Sequence, residues 1–203
     1  MRERILHHLQ RLVAFDTQNP PRVISADDAL FGYVRASLGA DFELETVDHG
    51  DGCIALFATR GAPRVLYNFH VDTVPAAAGY TADPRVLRIE GGRAIGLGAC
   101  DIKGASACML AALEESSHDV ALLFTSDEEA GSSRCVKAFV ERGLPFDRVV
   151  VAEPTEARVV TRHRGIFTGT ATFAGRSGHA SSGNAERDSA LHHAVRWSHA
   201  AIE

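Results

Sequence analysis

Acidic side chains directly follow apolar segments at four places in this chain, and this pattern constrains the fold more than any other feature. The side chains are five carboxylates and one imidazole: His70, Asp72, Asp101, Glu128, Glu129 and Glu153. The apolar segments that they follow are 64–69, 95–98, 120–127 and 148–152. In an open α/β sheet, ligands bind at the edge where the strands reach their carboxyl ends. We therefore expect these six side chains to meet at one edge of a sheet.

A cluster of this composition favours a site for two metal ions. Burying several carboxylates together is prohibitively costly unless cations neutralise them. Each residue alone has an ordinary explanation, since an aspartate at a helix start is usually a cap and a pair of glutamates is usually solvated. The metal interpretation therefore depends on the convergence of all six residues.

Length, charge and cysteine usage limit the class of protein. The 203 residues are enough for one large domain or for one and a half. The net charge is −5, without a basic block, so nucleic acid is not an expected partner. The four cysteines form no CxxC pair, which suits a reducing compartment. No signal sequence is recognisable, and no apolar stretch approaches the roughly 20 residues that span a bilayer. We expect a cytoplasmic protein that does not contact membranes.

Helical and strand-like segments alternate along the first three quarters of the chain. Helices are predicted over 5–13, 27–38, 101–115 and 132–142. Strands are predicted over 42–48, 53–59, 64–70, 119–125 and 148–152, with short segments at 86–89 and 94–95. This rhythm predicts an α/β fold with a mostly parallel sheet flanked by helices.

The pattern changes after Pro154. Segments 158–161 and 166–173 alternate as antiparallel strands with one wet face do, and 187–202 has helical spacing. We therefore predict two domains, 1–161 and 162–203, the second being the start of an α+β domain. One or two strands and a helix do not bury a core alone, so this domain is expected to be incomplete.

The residue types indicate how the metal site would operate. His70 and Asp72 are two apart and so face the same way, and a metal-bound imidazole usually donates its other N–H to a carboxylate. Asp101 follows a glycine-rich turn and has room to bridge two ions. Glu128 and Glu129 diverge at a strand end, so one can ligate while the other holds a water. Two ions about 3.5–4 Å apart lower the pKa of a shared water and polarise a carbonyl.

Two other motifs point elsewhere at first sight. Gly96-Leu-Gly98 suggests a dinucleotide site, but Asp101 takes the place of the third glycine and would repel a pyrophosphate. The segment 175–179 is not a nucleophile elbow, because residue 179 is histidine rather than glycine. Cys100 is either a soft ligand or a small packing residue, and Lys103 is expected to form a local ion pair.

Four motifs occur in order and together resemble the dinuclear zinc amidohydrolase/exopeptidase family. They are His70-Val-Asp72-Thr-Val-Pro75, Gly96-Leu-Gly-Ala-Cys-Asp101-Ile-Lys-Gly104, Thr125-Ser-Asp-Glu-Glu129 and Ala152-Glu-Pro-Thr155. Each motif alone is weak, whereas the ordered set is specific. The resemblance runs from about Leu12 to the end of the chain.

The resemblance implies a role for each site residue. His70, Asp101 and Glu153 would hold one Zn²⁺, and Asp101 and Glu129 the other, with Co²⁺ as an alternative metal. Glu128 would be the general base that takes a proton from water and delivers it to the leaving nitrogen. Asp72, beside His70, completes the catalytic set. A cis peptide bond is expected after Asp101.

The resemblance also implies a lid or dimerisation domain beginning in 162–203, and a homodimer formed through it. His179 matches a lid histidine that polarises the scissile carbonyl in the partner's site. Arg162, His163 or Arg164 would bind the α-carboxylate of the substrate, Arg164 being our candidate, because arginine pairs with carboxylates bidentately. A purely solubilising surface role is the alternative.

The implied reaction is hydrolysis of the N-acetyl amide of a small N-acyl amino acid, N-acetylornithine or N-acetylcitrulline, to acetate and the amino acid in arginine biosynthesis. A desuccinylase, a carboxypeptidase or a non-catalytic metal-binding module are the alternatives. The family takes the last ligand of its second zinc, a histidine, from a segment after the lid, and this sequence has no match for it. We therefore expect the 203-residue chain to bind one zinc well, the second poorly, and to turn over slowly.

Overall fold

The computed structural model describes residues 1–162, 164–165, 168–179 and 181–202, which form two compact units, Met1–Arg158 and Val159–Glu203. The helices of the first unit are α1 (Arg2–Ala14), α2 (Ala29–Ser37), α3 (Lys103–Leu113) and α4 (Arg134–Glu141). Its strands are β1 (Glu43–Asp48), β2 (Ile54–Arg60), β3 (Val65–His70), β4 (Arg88–Glu90), β5 (Arg93–Ile95), β6 (Val120–Thr125) and β7 (Arg148–Val151). The second unit contains α5 (Ala185–Asp188) and α6 (Ala190–Ile202).

The main sheet has five strands in the order β1-β2-β6-β3-β7. β3 is parallel to both β6 and β7, and the register places His70 beside Thr125 and Asn68 beside Val151. The carboxyl ends of these three strands therefore meet at one edge, as the sequence predicts. This shared edge places the loops that carry the acidic residues next to one another.

The sheet is mixed rather than mostly parallel, which corrects the prediction. β1 pairs antiparallel with β2, and β2 antiparallel with β6. β1 and β2 are joined by a short turn in which Gly50, Asp51 and Gly52 have φ of 79°, 53° and 81°. A turn this short joins antiparallel strands, because parallel strands need a crossover of a dozen or more residues.

The core lies on both faces of β6, whose residues are all buried. A strand buried on both faces reads as a continuous apolar run, as segment 120–125 does. One face packs against α1, α2 and α3 through a large cluster that includes Leu12, Phe31, Leu110 and Phe124. The other face packs against α4 through Cys135 and Phe139. The helices thus flank the sheet, as predicted.

A small two-stranded sheet, β4–β5, precedes the glycine-rich turn that ends in Asp101. Its turn is Gly91-Gly92, and both glycines have positive φ, 56° and 77°. A two-residue hairpin turn of this kind requires positive φ, which glycine adopts without strain. The hairpin brings the chain back to the sheet edge ahead of Asp101.

Among the described residues of the second unit, the regular elements are two helices near its end, and the residues before them have no helix or strand. The predicted helix at 187–202 is confirmed as α6, preceded by the short α5, and the Phe173 and Trp197 rings lie 5.7 Å apart. The strands predicted at 158–161 and 166–173 are wrong over their described residues, which form no strand. Ile166 and Phe167 lie outside the described residues. A period-two pattern needs a partner strand to become a sheet. None of the described helices is long and apolar enough for a membrane span.

Candidate metal centre

His70 lies at the end of β3 and is almost fully buried, with 3% of its surface exposed. Its Nε2 atom lies 3.0 Å from Oδ1 of Asp101 and 3.7 Å from Oε1 of Glu153. Asp101 comes from the turn before α3, and Glu153 follows β7 by two residues. Three separate elements therefore place one imidazole and two carboxylates around the same point.

Glu128 and Glu129 reach the same point from the loop after β6. Ligand atoms of His70, Glu128 and Glu129 lie within 4.8 Å of one another, as do those of His70, Asp101 and Glu153. Two atoms that both bind a zinc ion at about 2.0–2.2 Å are at most about 4.4 Å apart. The two contacts of His70 Nε2 fall inside this limit, so this donor set fits a divalent cation.

Asp72 does more than accompany His70. It is 1% exposed, and its Oδ2 accepts a hydrogen bond from the Glu129 backbone N–H at 2.9 Å while Oδ1 lies 3.4 Å from the Glu128 nitrogen. The predicted contact with His70 differs in detail, because Nδ1 lies 3.0 Å from the Asp72 carbonyl oxygen and 3.6 Å from its carboxylate. Donation from Nδ1 to that carbonyl would leave Nε2 to face the acidic residues.

Asp127 directly precedes Glu128 and has a structural role that was not predicted from the sequence. Its buried carboxylate accepts hydrogen bonds from the Ser132 hydroxyl at 2.8 Å and the Cys135 backbone N–H at 3.0 Å. Burial raises the pKa of this carboxyl, but the hydrogen bonds from Cys135 and Ser132 outweigh burial and hold the pKa below its usual range. The signal available in the sequence was its position, an aspartate between an apolar segment and a predicted helix.

The pKa shifts within the cluster show that the site stabilises positive charge, either as bound protons or as a cation. Burial lowers the pKa of His70, yet the hydrogen bond and charge of Asp72 and the charge of Glu153 together raise it to about 9. Burial also raises the pKa of Glu129 and of Glu153, and neighbouring carboxylates add to that rise. Carboxyl groups that share a site repel one another when ionised, so they retain protons more strongly. A bound cation can replace those protons.

The turn before α3 is tightly built. Gly98 has φ of 73°, and a Cβ atom there would lie 2.6 Å from Thr73 Cγ2. The Asp101–Ile102 peptide bond is cis, as predicted. Lys103 is buried and donates from Nζ to the Phe15 carbonyl at 3.1 Å rather than forming the expected ion pair. Burial lowers the pKa of Lys103 to about 8, partly opposed by the charge of Asp16.

His179 and Arg164 lie in the second unit, and both are exposed. Nδ1 of His179 lies 2.8 Å from the Ser181 hydroxyl oxygen. His163, the alternative ligand for a substrate carboxylate, lies outside the described residues. The roles of His179 and Arg164 therefore stay predictions.

A mixed sheet between helices, with one imidazole and four carboxylates at the carboxyl ends of its parallel strands, is the arrangement of an α/β metallopeptidase. Residues 66–201 match peptidase family M20/M25/M40, and the chain belongs to that family.

Similar proteins include several deacylases. The chain is 52% identical over 198 residues to the N-acetyl-L-citrulline deacetylase of Xanthomonas campestris pv. campestris, covering 98% of this chain and 54% of that protein. It is 31% identical over 153 residues to the acetylornithine deacetylase of Proteus mirabilis, covering 71% and 40%. It is 30% identical over 185 residues to the succinyl-diaminopimelate desuccinylase of Beijerinckia indica, covering 78% and 48%. The chain thus spans about half the length of the curated relatives it matches.

Solved structures share the fold at low sequence identity. Human carnosine dipeptidase 1 superimposes with a TM-score of 0.64 at 20% identity, covering 75% of this chain and 38% of that one. The M20 family metallo-carboxypeptidase Sso-CP2 from Sulfolobus solfataricus gives 0.56 at 23% identity, covering 73% and 37%.

Proposed function

We propose that this chain is the metal-binding part of an amidohydrolase that removes the acetyl group from N-acetylcitrulline or N-acetylornithine. The observation that carries the proposal is the cluster around His70. It contains two groups of three residues, and within each group the ligand atoms lie within 4.8 Å of one another. The 52% identity to an N-acetyl-L-citrulline deacetylase supports the choice of substrate.

Zn²⁺ is the proposed metal, two ions per complete site, with Co²⁺ as an alternative. His70, Asp101 and Glu153 would hold one ion, and Asp101 and Glu129 the other. A bound divalent ion supplies polarisation of the amide carbonyl and a lower pKa for a nearby water. Among the carboxylates of the two ligand groups, this assignment uses all except that of Glu128, which is left for proton transfer.

Glu128 is proposed as the general base. It takes a proton from the attacking water, whose oxygen bonds to the carbonyl carbon, and it delivers that proton to the amide nitrogen as the C–N bond breaks. Acetate and the free amino acid leave. Asp72 holds the backbone of Glu128 and Glu129 and so orients both side chains, because two hydrogen-bond acceptors on one buried carboxylate fix adjacent N–H groups.

The remaining parts of the proposal concern the whole protein. His179 would polarise the scissile carbonyl in the partner's site of a homodimer formed through the second domain, and Arg164 would bind the α-carboxylate of the substrate. We place the reaction in arginine biosynthesis in the cytoplasm. The names of the N-acetylcitrulline and N-acetylornithine relatives support the biosynthetic part of this placement.

Desuccinylation is the second candidate activity. A succinyl-diaminopimelate desuccinylase of Aromatoleum aromaticum is 35% identical over 158 residues, covering 68% of this chain. A binding module without activity is less well supported, because pure metal binding does not require Glu128 in addition to the other donors.

The test combines metal content with hydrolysis. Zinc-reconstituted protein should carry bound zinc by elemental analysis, and Asp101→Ala should lose it. Release of citrulline or ornithine from the acetylated substrates should fall by about 100-fold or more in Glu128→Gln, which retains the other donors. A folded chain that binds no zinc, or one that hydrolyses only succinyl-diaminopimelate, would contradict the proposal.

A further inference from the structure

An open cavity of about 370 Å³ lies beside the candidate metal centre. One side is formed by Thr73, Val74 and Tyr80, the other by segment 96–100, and the carboxylates of Asp101 and Glu129 lie at its border with the centre. Pockets of about 300–1,000 Å³ hold small-molecule ligands. The cavity is large enough for part of an acylated amino acid.

The lining of this cavity carries no positive charge. Its ten lining residues all belong to the described part of the chain, and Asp101 and Glu129 are the only charged ones among them. The proposed metal ions would neutralise these two carboxylates. The rest of the lining is uncharged, and three of the five residues of segment 96–100 are glycine or alanine, which carry little or no side chain.

Three basic side chains on neighbouring segments have other partners. Lys103 donates to the Phe15 carbonyl at 3.1 Å. Arg85 pairs with Asp16 at 3.4 Å, and Arg88 with Glu90 at 3.1 Å. A carboxylate that entered the cavity would therefore lose water without gaining a cationic partner from these residues, and such a loss strongly disfavours binding.

We propose that this cavity binds the acyl group of the substrate and that it selects a small, neutral acyl group over one that ends in a carboxylate. The inference rests on the proposed function, because it takes a scissile amide at the metal centre as given. The amino-acid half carries its α-carboxylate next to the amide nitrogen and finds no cation here. The acyl half is the part that fits an uncharged pocket.

Cys100 gives a readout of occupancy that does not require turnover. It is exposed and lines the cavity, while Cys108 is exposed on α3 and does not line it. Trypsin cuts after Lys103, so the two thiols fall on different peptides and Cys108 serves as an internal control. The rate of iodoacetamide modification at each thiol can be followed by mass spectrometry on zinc-loaded protein.

The experiment compares N-acetylcitrulline with N-succinylcitrulline. At about ten times its Kd, the acetyl compound should slow modification of Cys100 by about tenfold, while Cys108 is unaffected. The succinyl compound at the same concentration should slow it by less than about twofold. Equal or stronger protection by the succinyl compound would overturn the inference.

A variant with an added positive charge tests whether the missing cation is the reason for the preference. Val74 lines the cavity and is half exposed, so Val74→Lys places an ammonium group at its wall, whereas Val74→Met adds similar length without charge. Protection by the succinyl compound should increase about tenfold in the lysine variant relative to the methionine variant. A lysine at exposed Val23, outside this cavity, should not change the preference. No difference between the two Val74 variants would contradict the inference.

Failure of the proposed function gives a different result. If zinc binds but neither compound protects Cys100, the acyl site is wrong and the metal centre stands. If no zinc binds and neither compound protects, both proposals fail together.

Discussion

Asp72 is the residue on which the geometry of the candidate centre depends most. It is buried, its carboxylate receives the Glu129 backbone N–H, and it lies next to the Glu128 nitrogen. Its carbonyl oxygen lies within hydrogen-bond distance of His70 Nδ1. One residue therefore contacts three of the proposed functional residues, and none of those contacts involves an atom that is proposed to bind a metal.

Replacing Asp72 with asparagine should weaken metal binding. The amide keeps the size of the side chain but has one acceptor oxygen fewer, so one of the two backbone N–H groups loses its partner. We expect zinc affinity to fall by about 10–100-fold and the free energy of unfolding by about 1–3 kcal/mol. Chelator competition and urea unfolding measure the two effects. Asp27→Asn, at an exposed position, is the matched control, and unchanged zinc affinity in Asp72→Asn would refute this role.

The four thiols should divide into two reactive and two unreactive ones. Cys100 and Cys108 are exposed, whereas Cys53 and Cys135 are buried. Burial, together with the charge of Asp127, raises the pKa of Cys135 far above its ordinary value. Because the thiolate is the reactive form, a raised pKa keeps this thiol unreactive at pH 8. Titration with a thiol reagent should count two groups in native protein and four after denaturation; three or four in the native state would be inconsistent with the burial.

At the scale of elements, the position of α3 determines where Asp101 lies. α1 packs against α3, and buried His8 on α1 connects three helical segments. Its Nδ1 lies 2.7 Å from the Tyr33 hydroxyl on α2, and its Nε2 lies 2.9 Å from Glu114 at the end of α3. The helices on this face are thus held together by polar contacts as well as by the apolar core.

Removing the imidazole of His8 should destabilise the first unit. His8→Ala leaves the Tyr33 hydroxyl and the Glu114 carboxylate without this partner and opens space under α1. We expect a loss of about 2–4 kcal/mol in the free energy of unfolding. His7→Ala, one residue away and exposed, should cost less than about 0.5 kcal/mol. Equal effects of the two substitutions on denaturant midpoints would contradict this account.

The elements of the first unit were predictable because their hydrophobic periods are clear. The predicted bounds of β3, β6 and β7 agree with the structure to within one or two residues. The antiparallel pairing of β1 and β2 was not predicted. The alternation of a strand does not show in which direction it pairs, and the Gly50–Gly52 segment was not recognised as a tight turn. The candidate site residues that follow strands were predicted from their position at the ends of apolar segments. The contact of Asp72 with the Glu128–Glu129 backbone was not, because it joins loops more than fifty residues apart.

At the scale of the whole molecule, metal binding should stabilise the fold. Asp101, Glu129 and Glu153 come from three different loops of the first unit, so ions held by them would tie those loops together only in the folded state. A ligand at about 100 times its Kd stabilises a fold by about 2.7 kcal/mol. Zinc should therefore raise the thermal midpoint, and a chelator should reverse the rise.

The number of zinc ions bound per chain follows from the same ligand geometry. Both three-residue ligand groups in the described structure include His70, so a second ion has to rely on Asp101 and Glu129. We expect one zinc per chain to bind tightly and a second to bind at least about 100-fold more weakly, since catalytic sites usually offer three protein ligands. Two equally tight ions in a calorimetric titration would show that another donor takes part. Asp101→Ala should show neither binding nor the thermal shift.

β7 is the outermost of the described strands on its side of the sheet, and its three valines, Val149, Val150 and Val151, are 44–57% exposed. Its outer row of backbone N–H and C=O groups has no strand beside it among the described residues. An uncovered apolar edge of this kind is a template on which a further strand can form. In a concentrated solution, the available partner for this edge is the same valine-rich segment of another copy of the chain. Handling of the isolated protein is therefore governed by this edge: low concentration, or a lysine at Val150, should keep it monodisperse for the metal and ligand titrations.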